Sequence, residues 1–155
     1  MSRGRIGTTI LAGGLLGLAW AQWGGDLALG EAAAAAPTHA RAFGTCAGGA
    51  RTNCVVDGDT FWMDGEKIRI ADIDTPETHP SRCAAEAALG DRATVRLRVL
   101  LNDGPFALES IDRDTDRYGR KLRIVTRGGA SIGDTLVREG LARPYAGGRR
   151  PWCAV

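Results

Sequence analysis

Residues 54–77 read CVVDGDTFWMDGEKIRIADIDTPE. Three short runs, Cys54 to Val56, Thr60 to Met63 and Lys67 to Ala71, are apolar or alternate between apolar and polar. Asp57-Gly58 and Asp64-Gly65 separate them, and Asp-Gly between such runs is a strong short-range hairpin signal. The stretch predicts a three-stranded antiparallel meander. Its acids are unevenly placed: Asp57 and Asp59 crowd one turn, while Asp72, Asp74 and Glu77 gather where the third run ends. Like charges side by side are unfavourable unless something compensates them.

From Ser81 the period changes. Ala85, Leu89, Ala93, Leu97 and Leu101 recur every four residues with Ala88 and Leu100 beside them, and Glu86, Asp91, Arg92 and Arg96 take the other face. This is the pattern of an amphipathic helix on a sheet. Phe106 to Ile111 and Lys121 to Val125 return to strand character. Ser131 to Glu139 reads as a short helix, with Ser131 and Asp134 resembling a capping box and Gly140 at its end. The order β-β-β-α-β-β-α predicts an α+β, mainly β fold: a five-stranded barrel of the OB type with two packed helices.

A chain of 155 residues holds one such domain and a leader. Met1 to Arg5 is positive, Ile6 to Ala21 is apolar, and Ala19-Trp20-Ala21 ends it, which is the form of a signal peptide. Ile6 to Trp23 also approaches the length of a membrane anchor. Either reading sends the domain out of the cytoplasm, to the periplasm or beyond. Residues 22–45, with the alanine run before Pro37, are expected to be a linker of low order, and residues 46–155 the domain.

Without Arg3 and Arg5 the chain carries 18 basic and 18 acidic residues, so bulk charge identifies no nucleic-acid partner. Cys46, Cys54, Cys83 and Cys153 match no zinc spacing, and an even count in an exported chain favours two disulfides. Of three connectivities, Cys46 with Cys54 and Cys83 with Cys153 is the preferred one.

Asp59 opens one strand of the meander and Asp74 closes the adjacent antiparallel one, so both fall at the hairpin's open end. Each has a bland alternative, as a turn former beside Gly or Pro. Together they form an oxygen-rich pair that suits calcium. Glu77, just beyond, is placed to orient or deprotonate a water. Arg69 lies five residues before Asp74, so on a regular strand the two would face opposite ways. Arg120 heads a strand after Tyr118-Gly119, where a guanidinium can grip a phosphate on two oxygens.

Val55 to Thr60, Arg69 to Glu77 and Asp116 to Arg120 resemble the three signature blocks of the staphylococcal nuclease (thermonuclease) family, and Leu136 to Ala142 resembles its following helix. The resemblance covers about residues 53–145. It implies an OB-fold enzyme, a calcium-dependent phosphodiesterase that cuts DNA and RNA, single-stranded or denatured, and leaves 3′-phosphates. It implies Asp59, Asp74 and the Thr75 carbonyl as calcium ligands, Arg69 and Arg120 as phosphate-holding catalytic residues, and Glu77 as general base or water-orienting group. Tyr118 and Tyr145 are candidates to stack on bases. His79 is expected to be a loop residue, and Trp62 core or rim. A monomer with no obligate protein partner is expected. The chain departs from the pattern in a short loop after Glu77 and in ending soon after Tyr145. The alternative is a non-catalytic module of the same fold that binds nucleic acid or protein, although all five charged positions are present.

Overall fold

The computed structural model describes residues 38–46, 49 and 51–153. The expected leader, residues 1–21, lies outside them, as does the linker up to Pro37. Among the described residues no helix is long and apolar enough to cross a membrane.

Short strands β1 (Thr38–His39) and β2 (Gly44–Thr45) precede the meander of β3 (Cys54–Asp57), β4 (Thr60–Met63) and β5 (Glu66–Ile70). Then come β6 (Ile73–Asp74), helix α1 (Ala84–Asn102), β7 (Phe106–Thr115), β8 (Lys121–Arg127), β9 (Ala130–Ser131), helix α2 (Ile132–Arg138) and β10 (Arg143–Pro144). The β4–β5 turn has positive φ at both Asp64 (48°) and Gly65 (87°). That is the backbone a tight hairpin of matching twist demands, and Asp-Gly adopts it cheaply.

The strand order is β1-β7-β8-β5-β4-β3-β2, with β9 on β8 and β10 paired separately to β6. The five expected strands β3, β4, β5, β7 and β8 are present as a curled mixed sheet, a half-barrel carrying both expected helices. Its one internal parallel pair is β5 with β8. The half-barrel leaves β7 and β3 as edges. The chain from Thr38 to Thr45 runs between them: Thr38–His39 pairs with β7, and Gly44–Thr45 with β3. Between those strands Phe43 is buried, 5.7 Å from Phe61 edge-on and 5.9 Å from Phe106. From Thr38 onward, then, the stretch read as linker is part of the sheet and core.

The core combines Val55, Phe61, Ile68, Ile70, Phe106 and Val125 of the sheet with Ala93, Leu97 and Leu101 of α1 and Leu136 of α2. Helix α1 meets the sheet on a face slightly different from the expected one. Ala85 and Ala88 are exposed, and Glu86, Gly90 and Ala93 are buried. Glu86 faces inward because it serves the helix start, accepting a hydrogen bond from the Arg82 N–H at 2.6 Å while the Cys83 sulfur accepts from the Glu86 N–H. Two glycines make this contact close. A Cβ on Gly58 would lie 2.6 Å from the Ala93 Cβ, and one on Gly90 would lie 2.8 Å from the Pro76 carbonyl oxygen. Helix α2 starts as expected, the Ser131 hydroxyl accepting from the Asp134 N–H. That hydroxyl also donates to Asp72 at 2.6 Å, tying α2 to the turn between β5 and β6.

Both disulfides match the preferred pairing, Cys46–Cys54 and Cys83–Cys153, and no described cysteine is free. The second closes a loop with a sequence separation of 70, against 8 for the first. Chain-entropy arguments give the larger loop the larger share of stabilisation, within about 2–5 kcal/mol for a small domain. Reduction is expected to lower the melting temperature, and Cys83→Ser/Cys153→Ser to lower it more than Cys46→Ser/Cys54→Ser. Calorimetric melting of the three oxidised proteins checks the ranking, and an equal or reversed order refutes it.

Candidate active site

The turn between β3 and β4 and the register of β4 against β5 build the site. Thr60 stands opposite Arg69, and the Ile70 N–H donates to the Asp59 carbonyl at 2.8 Å. This puts the Asp59 carboxylate beside the Arg69 guanidinium, 3.1 Å from Asp59 Oδ2 to Arg69 Nη1, with both side chains almost wholly buried. Arg69 also donates to the Ile70 carbonyl. The Thr60 hydroxyl donates to Asp59 Oδ1 at 2.8 Å, and the Asp59 N–H donates to Asp57 Oδ1 at 3.1 Å.

The parity conflict between Arg69 and Asp74 disappears because they are not on one strand. β5 ends at Ile70, the chain turns through Ala71 and Asp72, and Asp74 belongs to β6. Pairing of β6 with β10 sets Asp74 opposite Arg143. Asp74 and Thr75 are each 4% exposed. Asp74 Oδ1 is buried with no hydrogen-bond partner, while Oδ2 accepts from the Trp152 indole N–H at 3.2 Å.

Burial, reinforced by the neighbouring Asp59 charge, raises the Asp57 pKa from 3.8 to about 7. Burial also raises that of Asp74, with a smaller upward push from Asp59, against lowering by the Trp152 hydrogen bond and the charges of Arg149 and Arg69. Crowded, partly dehydrated carboxylates with one orphaned oxygen suit a hard cation such as calcium. Asp59 and Asp74, with the Thr75 carbonyl, would hold it. Among the described residues the one tight trio of ligand-type side chains is Cys83, Glu86 and Cys153, and its two cysteines are spent in a disulfide.

Arg120 arrives at the head of β8 after a tight loop closed by Gly119, whose φ is 78°. Asp116 aims it, accepting from Arg120 Nε at 2.7 Å and from its backbone N–H at 3.0 Å. Although burial opposes it, the hydrogen bonds from Arg120 and Tyr118 hold the Asp116 carboxyl below its ordinary range. Arg120 Nη1 reaches the Thr60 hydroxyl at 3.4 Å, so both arginines converge on the Asp59-Thr60 corner. The exposed Tyr118 ring lies 5.5 Å from the Arg120 guanidinium, and the Tyr145 ring 6.0 Å from that of Arg69. Glu77 is partly exposed and pairs with Arg149.

Three side chains escaped the sequence reading. Asp116 was legible as an acid four residues before Arg120 across a glycine turn. Arg149 and Trp152 follow Tyr145, in a stretch with no periodicity to place them.

Residues 67–151 match the family model described as staphylococcal nuclease homologue, more than half of the chain. The chain belongs to that family. The match begins at Lys67, so Asp57 to Thr60 lie before it, and the β4–β5 register sets Thr60 opposite Arg69. The chain is 40% identical over 94 residues to endonuclease YncB of Bacillus subtilis, covering 57% of this chain and 44% of that one. It is 40% identical over 94 residues to the SPbeta prophage-derived endonuclease YokF of the same organism, covering 57% and 31%. It is 33% identical over 93 residues to thermonuclease of Staphylococcus hyicus, covering 57% and 54%. The chain thus matches about a third to a half of each relative's length.

The raised pKa of Asp57 has a thermodynamic consequence. A carboxyl with a folded pKa near 7 and an unfolded one near 3.8 favours the folded state while protonated. Its contribution is full below pH 4, is lost as pH rises from about 4 to 7, and is constant above. Asp57→Asn keeps the oxygen that accepts from the Asp59 N–H and removes this loss. In chelator the variant should gain on wild type across that window by roughly 1–3 kcal/mol. Denaturant unfolding at pH 4, 5.5 and 7.5 checks it, and parallel curves refute it.

Proposed function

We propose that the protein is an exported endonuclease: a calcium-dependent phosphodiesterase that cleaves single-stranded or denatured DNA and RNA to 3′-phosphates. One observation carries this reading. Two arginines converge on a corner of buried carboxylates, one of which keeps an oxygen with no hydrogen bond, and a partly exposed glutamate shares Arg149 with that carboxylate. A purely structural cation site would explain the acids but not why a second guanidinium, Arg120, is held toward the same Asp59-Thr60 corner. The endonuclease and thermonuclease names of the relatives point the same way.

Calcium, when bound at Asp59, Asp74 and the Thr75 carbonyl, supplies positive charge that polarises the phosphate for attack. The chain's own groups do the rest. Arg69 and Arg120 hold the phosphate's non-bridging oxygens, where charge grows in the transition state, and fixed guanidinium donors stabilise it without reorganising. Asp116 keeps the Arg120 fork aimed, and Thr60 spans the two arms of the site. Glu77 takes the proton from the attacking water; as the new P–O bond forms the P–O5′ bond breaks, and the departing 5′-oxygen takes a proton from solvent, leaving the 3′-phosphate. Tyr118 and Tyr145 offer exposed ring faces beside the two arginines, suited to stacking bases of an unpaired strand. Two disulfides and the leader's form support an oxidising compartment outside the cytoplasm.

Cleavage of denatured DNA by the purified protein, with calcium and with chelator, tests the reading directly. Glu77→Gln is expected to lower turnover by about 10²–10⁴-fold with calcium affinity retained, because the base and its pairing with Arg149 are lost while both ligand carboxylates stay. Asp74→Asn and Asp59→Asn should weaken calcium binding itself. Arg120→Lys keeps the charge and loses the planar fork, so turnover should fall well beyond a conservative change. Calorimetric calcium titration beside the cleavage assay separates these outcomes. Full activity in chelator, or wild-type turnover in Glu77→Gln, refutes the assignment.

A further inference from the structure

We propose that Trp152 is a positioning residue for Asp74, held over the site by the Cys83–Cys153 disulfide, so that the segment Arg149–Cys153 forms one wall of the cation site. This rests on reading Asp74 as a metal ligand.

The argument starts from the two oxygens of Asp74. Oδ2 accepts from the Trp152 indole N–H, and Oδ1 is buried with no hydrogen-bond partner. An indole N–H is a donor only, so it engages one carboxylate oxygen and fixes the rotation of the group. The other oxygen, which makes no hydrogen bond and has the Arg149 guanidinium 3.8 Å away, is thereby left as the one available to a cation. A carboxylate that ligates a metal is commonly oriented by such an outer hydrogen bond, and losing the partner typically weakens metal binding by about 10–100-fold.

The indole is held from three sides. The Arg143 guanidinium lies over its ring at 3.6 Å, and Arg143 Nη1 donates to the Pro151 carbonyl at 3.0 Å. Arg143 itself stands opposite Asp74 in the β10–β6 pair, so the register that places the carboxylate also places the cation on which the indole rests. Beyond Trp152, Cys153 is bonded to Cys83, the N-cap residue of α1. That helix packs through Gly90 on the Pro76 and Glu77 carbonyls, so the anchor and the loop it serves share one support. Arg149 of the same segment pairs with Glu77 and comes within 3.8 Å of Asp74 Oδ1. A segment that merely covered the surface would need no indole nitrogen aimed at Asp74.

The test uses the full chain and calcium chloride alone. Trp152→Phe keeps a ring under Arg143 and removes the N–H. Calcium affinity by calorimetry should fall roughly 10-fold or more while the melting temperature in chelator stays at the wild-type value. Cys83→Ser/Cys153→Ser, which releases the anchor, should lose affinity by a similar factor, and adding Trp152→Phe to it should cause little further loss. If wild type binds calcium and Trp152→Phe binds it equally well, or loses affinity only in step with its melting temperature, the positioning role is refuted and the nuclease reading stands. If wild type itself binds no calcium, both fall.

Discussion

Helix α1 touches the rest of the domain at points where no side chain fits between. Gly58, in the turn that leads to Asp59, packs against Ala93, and Gly90 sits on the carbonyls of Pro76 and Glu77. One rigid element therefore bears on both acidic corners at once. The turn and the loop have no strong mutual pairing of their own, since β6 bonds to β10 rather than to β4. Their spacing is set by the helix, and the helix is set by Leu97 and Leu101 in the core. An added methyl at either glycine would push one corner away from the other, with the cost felt first as misplaced carboxylates.

What that geometry holds together is electrostatically expensive. Asp59 and Arg69 are both nearly dehydrated, and a buried ion pair of this kind roughly breaks even against apolar replacements. Asp57 and Asp74 are held where their charged forms are disfavoured. A domain selected only for stability would bury hydrocarbon here. On the proposed reading the arrangement is stored binding free energy for a cation and an anionic substrate, supplied by the surrounding core and two disulfides.

Much of the fold was legible because its signals are local. Asp57-Gly58 and Asp64-Gly65 each dictate a reversal within a few residues, and the α1 and α2 periodicities need no partner to be read. The first turn of α1 was misjudged because a buried Glu86 looks like a surface acid until its hydrogen bond to the Arg82 N–H is known. At the site, the side chains brought together at the hairpin's end were all visible in sequence, whereas the relation of Arg69 to Asp74 was not. It depends on a strand break at Ala71–Asp72 that leaves no compositional mark. Trp152 was out of reach for a different reason: its partner lies 78 residues away, and the neighbouring Cys153 is fastened by a disulfide to the distant Cys83.

The stretch from Thr38 to Thr45 has a consequence for how the domain behaves among copies of itself. An uncovered sheet edge presents a row of free N–H and C=O groups that another chain can pair with, the first step of many aggregates. Here eight residues occupy part of both edges of one curled sheet, and Phe43 pins them inward. A proteolytic cut inside that stretch would do more than trim the chain. It would free Thr38–His39 from the β7 edge, while Gly44–Thr45 stays beside β3 through the Cys46–Cys54 disulfide, so one edge strand would be opened to other copies of the chain and the other kept covered.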